Sequence, residues 1–235
     1  MALYAIGDLH LQGGDDKPMN VFGPQWEGHF EKISSDWRKQ VTEKDAVLVP
    51  GDISWAMQLK DALPDLEMIA ALPGIKVLLR GNHDYWWPGI GRLRSALPAG
   101  MLAIQNDAAR IGPITVCGTR GWTIPGQQAA PEDQKIYSRE VMRLRLSLEQ
   151  AARLGGELIG MTHYPPVTED GTETEMSRLF SEYGVGTVVY GHLHGASGRS
   201  AFQGRLNGVQ YYCVSCDQIH FQLFDFQREF HDPGC

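Results

Sequence analysis

The sequence predicts a mixed α/β fold, on three grounds. Short apolar runs alternate with amphipathic stretches along the whole chain, and no repeat or low-complexity tract interrupts them. The last two apolar runs follow each other with no helix between, which excludes a purely parallel doubly wound sheet. Strands are expected at 3–7, 46–50, 75–80, 114–118, 157–162, 185–190, 209–214 and 219–226. The first helix rests on Phe30, Ile33, Trp37 and Val41, whose spacing sets one apolar stripe and ends the helix near Val41. A second covers 59–72 and is closed by Pro73-Gly74. The third opens on Pro131-Glu132-Asp133, where proline and acids suit a first turn. It carries Val141, Leu144, Leu148 and Ala151 on one face and stops before Gly155-Gly156. A short fourth helix is expected at 175–183.

Composition narrows the function classes. At ~150 residues per domain, 235 residues form one large domain or two small ones, enough to bury a core without disulfide or zinc staples. No apolar run approaches the ~18 residues of a membrane span, so no integral membrane protein is expected. The opening Met1-Ala2-Leu3-Tyr4-Ala5-Ile6-Gly7-Asp8 lacks the basic flank and long apolar stretch of a signal peptide, so a cytoplasmic location is expected. The 21 basic residues less 28 acidic ones leave −7, a sign that disfavours sequence-independent nucleic-acid binding. Cys117, Cys213, Cys216 and Cys235 are too scattered for a disulfide framework. The lone C-x-x-C at Cys213 and Cys216 lies in an apolar run, so buried reduced thiols are expected there rather than a metal or redox site.

Histidines carry the chemical signal. Five of the eight fall at the ends of expected strands, in Gly7-Asp8-Leu9-His10, Gly81-Asn82-His83-Asp84, His163 and Gly191-His192-Leu193-His194-Gly195; Gly51-Asp52 ends another strand in the same way. Strand ends on one sheet edge converge, and α/β proteins place their sites there. Asp8 and His10, like His192 and His194, are two residues apart, so in extended backbone each pair points one way. The donors number two carboxylates (Asp8, Asp52), one amide (Asn82) and four imidazoles (His10, His163, His192, His194), too many for one transition metal and suited to two.

The ordered set D-x-H, G-D, G-N-H-D, H and G-H-x-H resembles the calcineurin-like metallophosphoesterases over residues 8–194, most closely the small bacterial phosphohydrolases without a cap domain. The resemblance implies a single domain over 1–235, folded as a four-layer α/β/β/α sandwich with a dinuclear site on one edge. By matching positions, Asp8, His10, Asp52 and His194 would hold one divalent ion and Asp52, Asn82, His163 and His192 the other, with Asp52 bridging. The ions could be Mn, Fe or Zn, since His, Asp and Asn accommodate all three. His83 would contact the phosphoryl oxygen or protonate the leaving group. Asp84 completes the catalytic motif.

Two such ions, two carboxylates and a bridging hydroxide sum to about +1, so an acidic chain still presents a positive floor to a phosphate. Metal-bound hydroxide, formed as the pKa of bound water falls to roughly 7, would be the nucleophile. The expected substrate is a small phosphodiester or nucleotide. The alternatives are a phosphomonoester or a pyrophosphate on the same metals, or a non-catalytic metal-binding scaffold, which the complete ligand set disfavours. One departure matters. The superfamily's protein Ser/Thr phosphatases carry an Asp-Arg pair after Gly-Asp, where Gly51-Asp52-Ile53-Ser54-Trp55-Ala56 has Trp55 and Ala56. A cationic clamp and the usual partner of the motif histidine are thus absent.

Other residues leave two readings open. Tyr85-Trp86-Trp87 and Tyr164 either wall a pocket or pack loops on the sheet. The acidic stretch 168–175 reads as a solvated loop into a helix, the alternative being a substrate lid. Arg120 and Arg199 sit in glycine-containing loops, where a surface position is the default and a phosphate contact the alternative. His29, His220 and His231 have no motif context.

Overall fold

The computed structural model describes residues 1–13, 19–126 and 129–229; His231 and Cys235 lie outside the described residues. Two sheets form. The first has the order β11-β1-β2-β3-β4, built from β1 (Leu3–Ala5), β2 (Ala46–Val49), β3 (Ile75–Leu79) and β4 (Met101–Ile104) in parallel, with β11 (Phe224–Asp225) antiparallel at its edge. The second has the order β5-β6-β7-β8-β10-β9: β5 (Ala108–Ile111), β6 (Ile114–Thr119), β7 (Glu157–Thr162), β8 (Thr187–Tyr190), β9 (Gly204–Leu206) and β10 (Val209–Cys213). Its centre is parallel, and an antiparallel partner closes each edge.

Side-chain alternation explains why the strands read as unbroken apolar runs. Leu3, Ala5, Leu48, Val77 and Leu79 point into a core shared with Val116, Ile159, Met161 and Val189 of the other sheet. The intervening Tyr4, Val47, Val49 and Leu78 face the opposite way, onto Ile33 and Trp37 of α1 (His29–Gln40) and Leu66 and Ile69 of α2 (Leu59–Ala70). Leu93 of α3 (Ile90–Ala96) joins this core. On the far side Val188, Tyr190 and Tyr211 pack against Leu144, Leu148 and Ala151 of α4 (Pro131–Leu154) and Met176 and Phe180 of α5 (Glu175–Glu182). Three apolar cores between four layers make the metallophosphoesterase sandwich. Two short helices, α6 (Gly195–Arg199) and α7 (Phe226–Glu229), complete the described elements.

The structure corrects the expected strand at 219–226. His220 and Phe221 take positive φ of 56° and 59°, which ends any extended run, and only Phe224 and Asp225 pair, with Ala5 and Tyr4. The last two strands are not a hairpin: β10 lies parallel to β8 in one sheet and β11 antiparallel to β1 in the other. Cys117, Cys213 and Cys216 are free and buried, and burial pushes the Cys117 thiol up to about 12.

Candidate metal centre

The C-terminal ends of the parallel strands meet on one edge. There the sheets are tied together by Gly7 N–H donating to the Val214 carbonyl (2.7 Å) and Cys216 N–H donating to the Gly7 carbonyl (3.1 Å). The loops after β1, β2, β3, β7 and β8 project Asp8 and His10, Asp52, Asn82, His163, and His192 and His194 into one cluster. All seven residues named as candidate ligands therefore come together. Asp8, His10, Asp52 and His192 hold positive φ, between 44° and 73°, a region that costs non-glycine residues energy unless the surroundings impose it. Backbone bonds impose it: Asp8 N–H donates to Gly51 O (3.0 Å), His10 N–H to Asp52 O (2.9 Å), and His192 N–H to the Asp8 carboxylate (3.0 Å). The motif glycines serve close approach. A Cβ on Gly81 would strike the Asp52 carboxylate, and one on Gly191 the Asp8 carboxylate.

The donor atoms converge in two groups that could hold metal, Asp8 with His10 and His194, and Asp8 with Asp52 and His163. His10 Nε2 lies 3.4 Å from His194 Nε2 and 3.8 Å from Asp52 Oδ2. On the other side His163 Nε2 is 3.6 Å from the same Asp52 oxygen and 2.6 Å from Asn82 Oδ1, which also lies 2.9 Å from His192 Nδ1. Asp52 Oδ2 thus sits between the two sets, while its Oδ1 is held by the His83 backbone N–H at 2.8 Å. Asp8 Oδ1 approaches His163 through Nδ1 (3.9 Å), but that nitrogen faces the Pro50 carbonyl at 2.9 Å.

Proton accounting tests whether the donors suit cations. Burial holds the His163 imidazole down at about 3, so the ring is neutral and carries one proton. The Pro50 carbonyl takes that proton at Nδ1, so the Nε2 lone pair faces the Asn82 carbonyl oxygen, acceptor against acceptor. Burial likewise holds His10 at about 3, and its Nε2 faces the His194 Nε2 at 3.4 Å. Lone pairs aimed at each other in a buried site are costly unless a cation lies between them, so the donor set fits metal ions.

His194 differs. Burial lowers its pKa, but hydrogen bonds and charges from Asp217 and Asp8 outweigh that and raise it to about 10. Asp217 Oδ1 accepts from His194 Nδ1 at 2.9 Å, which aims Nε2 inward. Among the two central carboxylates, burial and then the charges of Asp84 and Asp8 push Asp52 up, whereas His194 and its neighbours hold Asp8 down despite burial.

The remaining motif residues separate. His83 is half-buried beside the cluster, its ring 4.6 Å from Trp55 and 5.9 Å from His10. Asp84 is fully buried; it accepts N–H groups from Asp52 (2.9 Å), Ile53 (2.9 Å), Gly81 (2.7 Å) and the Trp86 indole (3.0 Å). Its oxygens are spent on joining the Gly51-Asp52 loop to the Gly81-Asn82 loop, away from the cavity. Trp86 and Trp87 are buried packing residues, and Tyr85 is exposed. Tyr164 lies on the His192 ring at 4.1 Å. The 168–175 loop closes on itself and caps α5, with Thr174 accepting from Ser177 N–H at 3.1 Å.

Two neighbours of the centre escaped sequence reasoning, and a third, Trp55, was marked only as a departure. Asp217 had no motif signal, because only the fold brings it to His194. His29, which looked ordinary, is buried with Nε2 2.9 Å from the Leu9 carbonyl, inside the D-x-H segment. Trp55 stacks on His10 at 4.8 Å and 21°. With Met19, Phe22 and Trp26 it makes the apolar wall of a cavity of about 320 Å³, whose polar lining includes His10, Asp52, His83, His192 and His194. No lysine or arginine lines that cavity among the described residues.

The likeness to solved structures agrees with this architecture. The phosphopantetheinyl hydrolase PptH of Mycobacterium tuberculosis superposes with a TM-score of 0.56 at 14% identity, covering 99% of this chain and 96% of that one. The protein of unknown function AQ665 of Aquifex aeolicus gives 0.52 at 15% identity and 97% of each chain. GAP50, the anchor in the inner membrane complex of Plasmodium, gives 0.50 at 13% identity, covering 92% of this chain and 71% of that one. At these identities the likeness fixes the fold alone. No curated protein matches the sequence. Residues 1–196 match the calcineurin-like phosphoesterases, and with that match the chain belongs to this family of metal-dependent phosphoester hydrolases.

Proposed function

We propose that the protein hydrolyses a small phosphodiester at a two-metal centre. Asp8, His10, Asp52 and His194 hold one ion and Asp52, Asn82, His163 and His192 the other. The observation that carries this reading is the position of Asp52 Oδ2, within 3.8 Å of His10 Nε2 and 3.6 Å of His163 Nε2, between two convergent donor sets. Bound there, divalent Mn, Fe or Zn ions supply an activated water and neutralise phosphoryl charge. The chain does the rest. Trp55 presses His10 into place, Asp217 and the Pro50 carbonyl fix the tautomers of His194 and His163, and Asp84 acts as a positioning residue that joins two ligand loops.

His83 is the catalytic residue facing the leaving group, to which it gives a proton. Burial lowers its pKa, so the imidazolium is a stronger acid and is populated more as pH falls. Trp55, Trp26, Met19 and Phe22 receive an apolar leaving arm. Among the described residues their wall carries no cation, which favours a singly charged diester over a doubly charged monoester. The whole chain acts as one domain, in the cytoplasm, on a small phosphorylated substrate.

The test is turnover across mono-, di- and cyclic phosphate esters with Mn²⁺, Fe²⁺ and Zn²⁺ supplied separately. Diesters with apolar arms should be cleaved most efficiently and phosphoserine peptides poorly. Turnover of monoesters or pyrophosphate alone would overturn the diester reading, and no turnover with any metal would overturn the catalytic one.

A further inference from the structure

A second pocket lies on the opposite flank of the same sheet edge. Arg80 follows β3, Asn106 follows β4, Thr119 ends β6 and Arg120 follows it; with Arg143 and Glu140 of α4 they surround a cavity of about 130 Å³. Three guanidiniums face one carboxylate, a surplus of two positive charges in a chain whose net charge is −7. Glu140 is 1% exposed, and its charge is already committed to Arg143 (2.5 Å) and the Thr119 hydroxyl (2.5 Å). Arg80 gives Nε to the Asp84 carbonyl (3.3 Å), and Arg120 lies over the Trp122 ring at 4.9 Å. Neither Arg80 nor Arg120 has a carboxylate partner among the described residues. Both guanidiniums line the same small cavity, so their charges share it.

Like charges held together in a half-buried pocket cost free energy that a bound anion returns. We propose that Arg80, Arg120 and Arg143 form a binding subsite for an oxyanion, a phosphate or carboxylate group, beside the metal centre. The guanidinium fork matches such groups bidentately, and the cavity holds one. The subsite shares its backbone with the centre. The Arg120 carbonyl accepts from His163 N–H (3.1 Å) and Tyr164 N–H (2.9 Å), and Arg80 leads directly into Gly81-Asn82. From Arg120 an aromatic ridge runs through Trp122 and Tyr164 (5.3 Å) to His192. The oxyanion arrives either on the second arm of the diester, which rests on the reading proposed above, or as a free anion.

A matched pair of 4-nitrophenyl phosphodiesters tests this on the Mn-loaded enzyme, one with its alkyl arm ending in hydroxyl and one in phosphate. A substrate-borne anion predicts a KM about tenfold lower for the phosphate-ended ester. In Arg120→Met the ratio of the two KM values should collapse towards one, and in Arg120→Lys it should recover in part. A free anion instead predicts that millimolar sulfate raises the melting temperature of the loaded wild type by more than it raises that of Arg120→Met, with no KM discrimination. Equal KM values together with equal sulfate shifts would overturn the subsite, and the wild-type KM comparison holds even if the variants fail to fold. Failure of both esters to turn over would strike the diesterase reading instead, leaving the sulfate comparison to decide the subsite.

Discussion

The two flanks of the metal centre are built from opposite materials. On the side of β1, Trp55, Trp26, Met19 and Phe22 form an apolar wall with no cation among the described residues; on the side of β3 and β6, three arginines face one buried glutamate. Both flanks line strand ends of the same edge, so the sandwich does not dictate the difference. What differs is the loop chemistry, tryptophan after Gly51-Asp52 against arginine before Gly81 and before Gly121. The lesson is that charge here is local. An acidic chain concentrates positive charge where backbone carbonyls and a single carboxylate leave it under-compensated, and lines the other flank with apolar side chains.

Four substitutions and one pH dependence break or sharpen that contrast. The largest effect belongs to the centre both flanks share. Asp52→Asn replaces a charged bridge with a neutral amide and should abolish turnover while weakening metal binding more than Asp8→Asn does, as metal analysis of both variants would show. Next comes His83, on the boundary of the apolar flank. His83→Ala should keep its metal and lose ~10²–10⁴ in rate on an alkyl ester, with a smaller loss on a nitrophenyl ester whose departing oxygen needs no proton. Equal losses on the two esters would assign His83 to holding the phosphoryl oxygen.

Smaller effects follow. Asp217→Asn removes the carboxylate that orients His194 and should weaken metal binding ~10–100-fold. The sign of its pH dependence is fixed by the raised pKa values of His194, at about 10, and Asp52. Both shifts favour the protonated form of a ligand, so metal binding should release protons and tighten as pH rises. Calorimetry in buffers of different ionisation enthalpy measures this, and proton uptake would contradict it. The smallest effect is on the wall itself. Trp55→Ala should raise KM for esters with aromatic arms about tenfold, in line with a lost aromatic contact of ~1–1.5 kcal/mol, and change KM little for a methyl-armed ester.

The convergence of the seven candidate donors was legible in the sequence, because each sits in a short block at a strand end and blocks on one edge meet. The strands were legible where both faces are buried, as in β2 and β8, since apolar runs then need no partner to be recognised. Edge strands were not. β5 carries Arg110 to solvent, β9 is three residues long, and β11 exists only because Ala5 and Tyr4 pair with it. The arginine flank was equally hidden. Arg120 alone drew notice, in a glycine-containing loop, and Arg80 and Arg143 reach it only through the crossing of β3, β6 and α4. Trp55 was visible as a departure from the protein phosphatases, but its stacking on His10 depends on the His10 backbone turning through positive φ.

The central claim is that two ions share Asp52. The most direct measurement is metal content per chain after saturation with Mn²⁺ and removal of free metal, made on the wild type and on Asp52→Asn. The account predicts close to two ions per wild-type chain, loss of activity on chelation, and fewer than two in the variant. One ion or none in the saturated wild type, or two retained by Asp52→Asn with a near-normal rate, would contradict it.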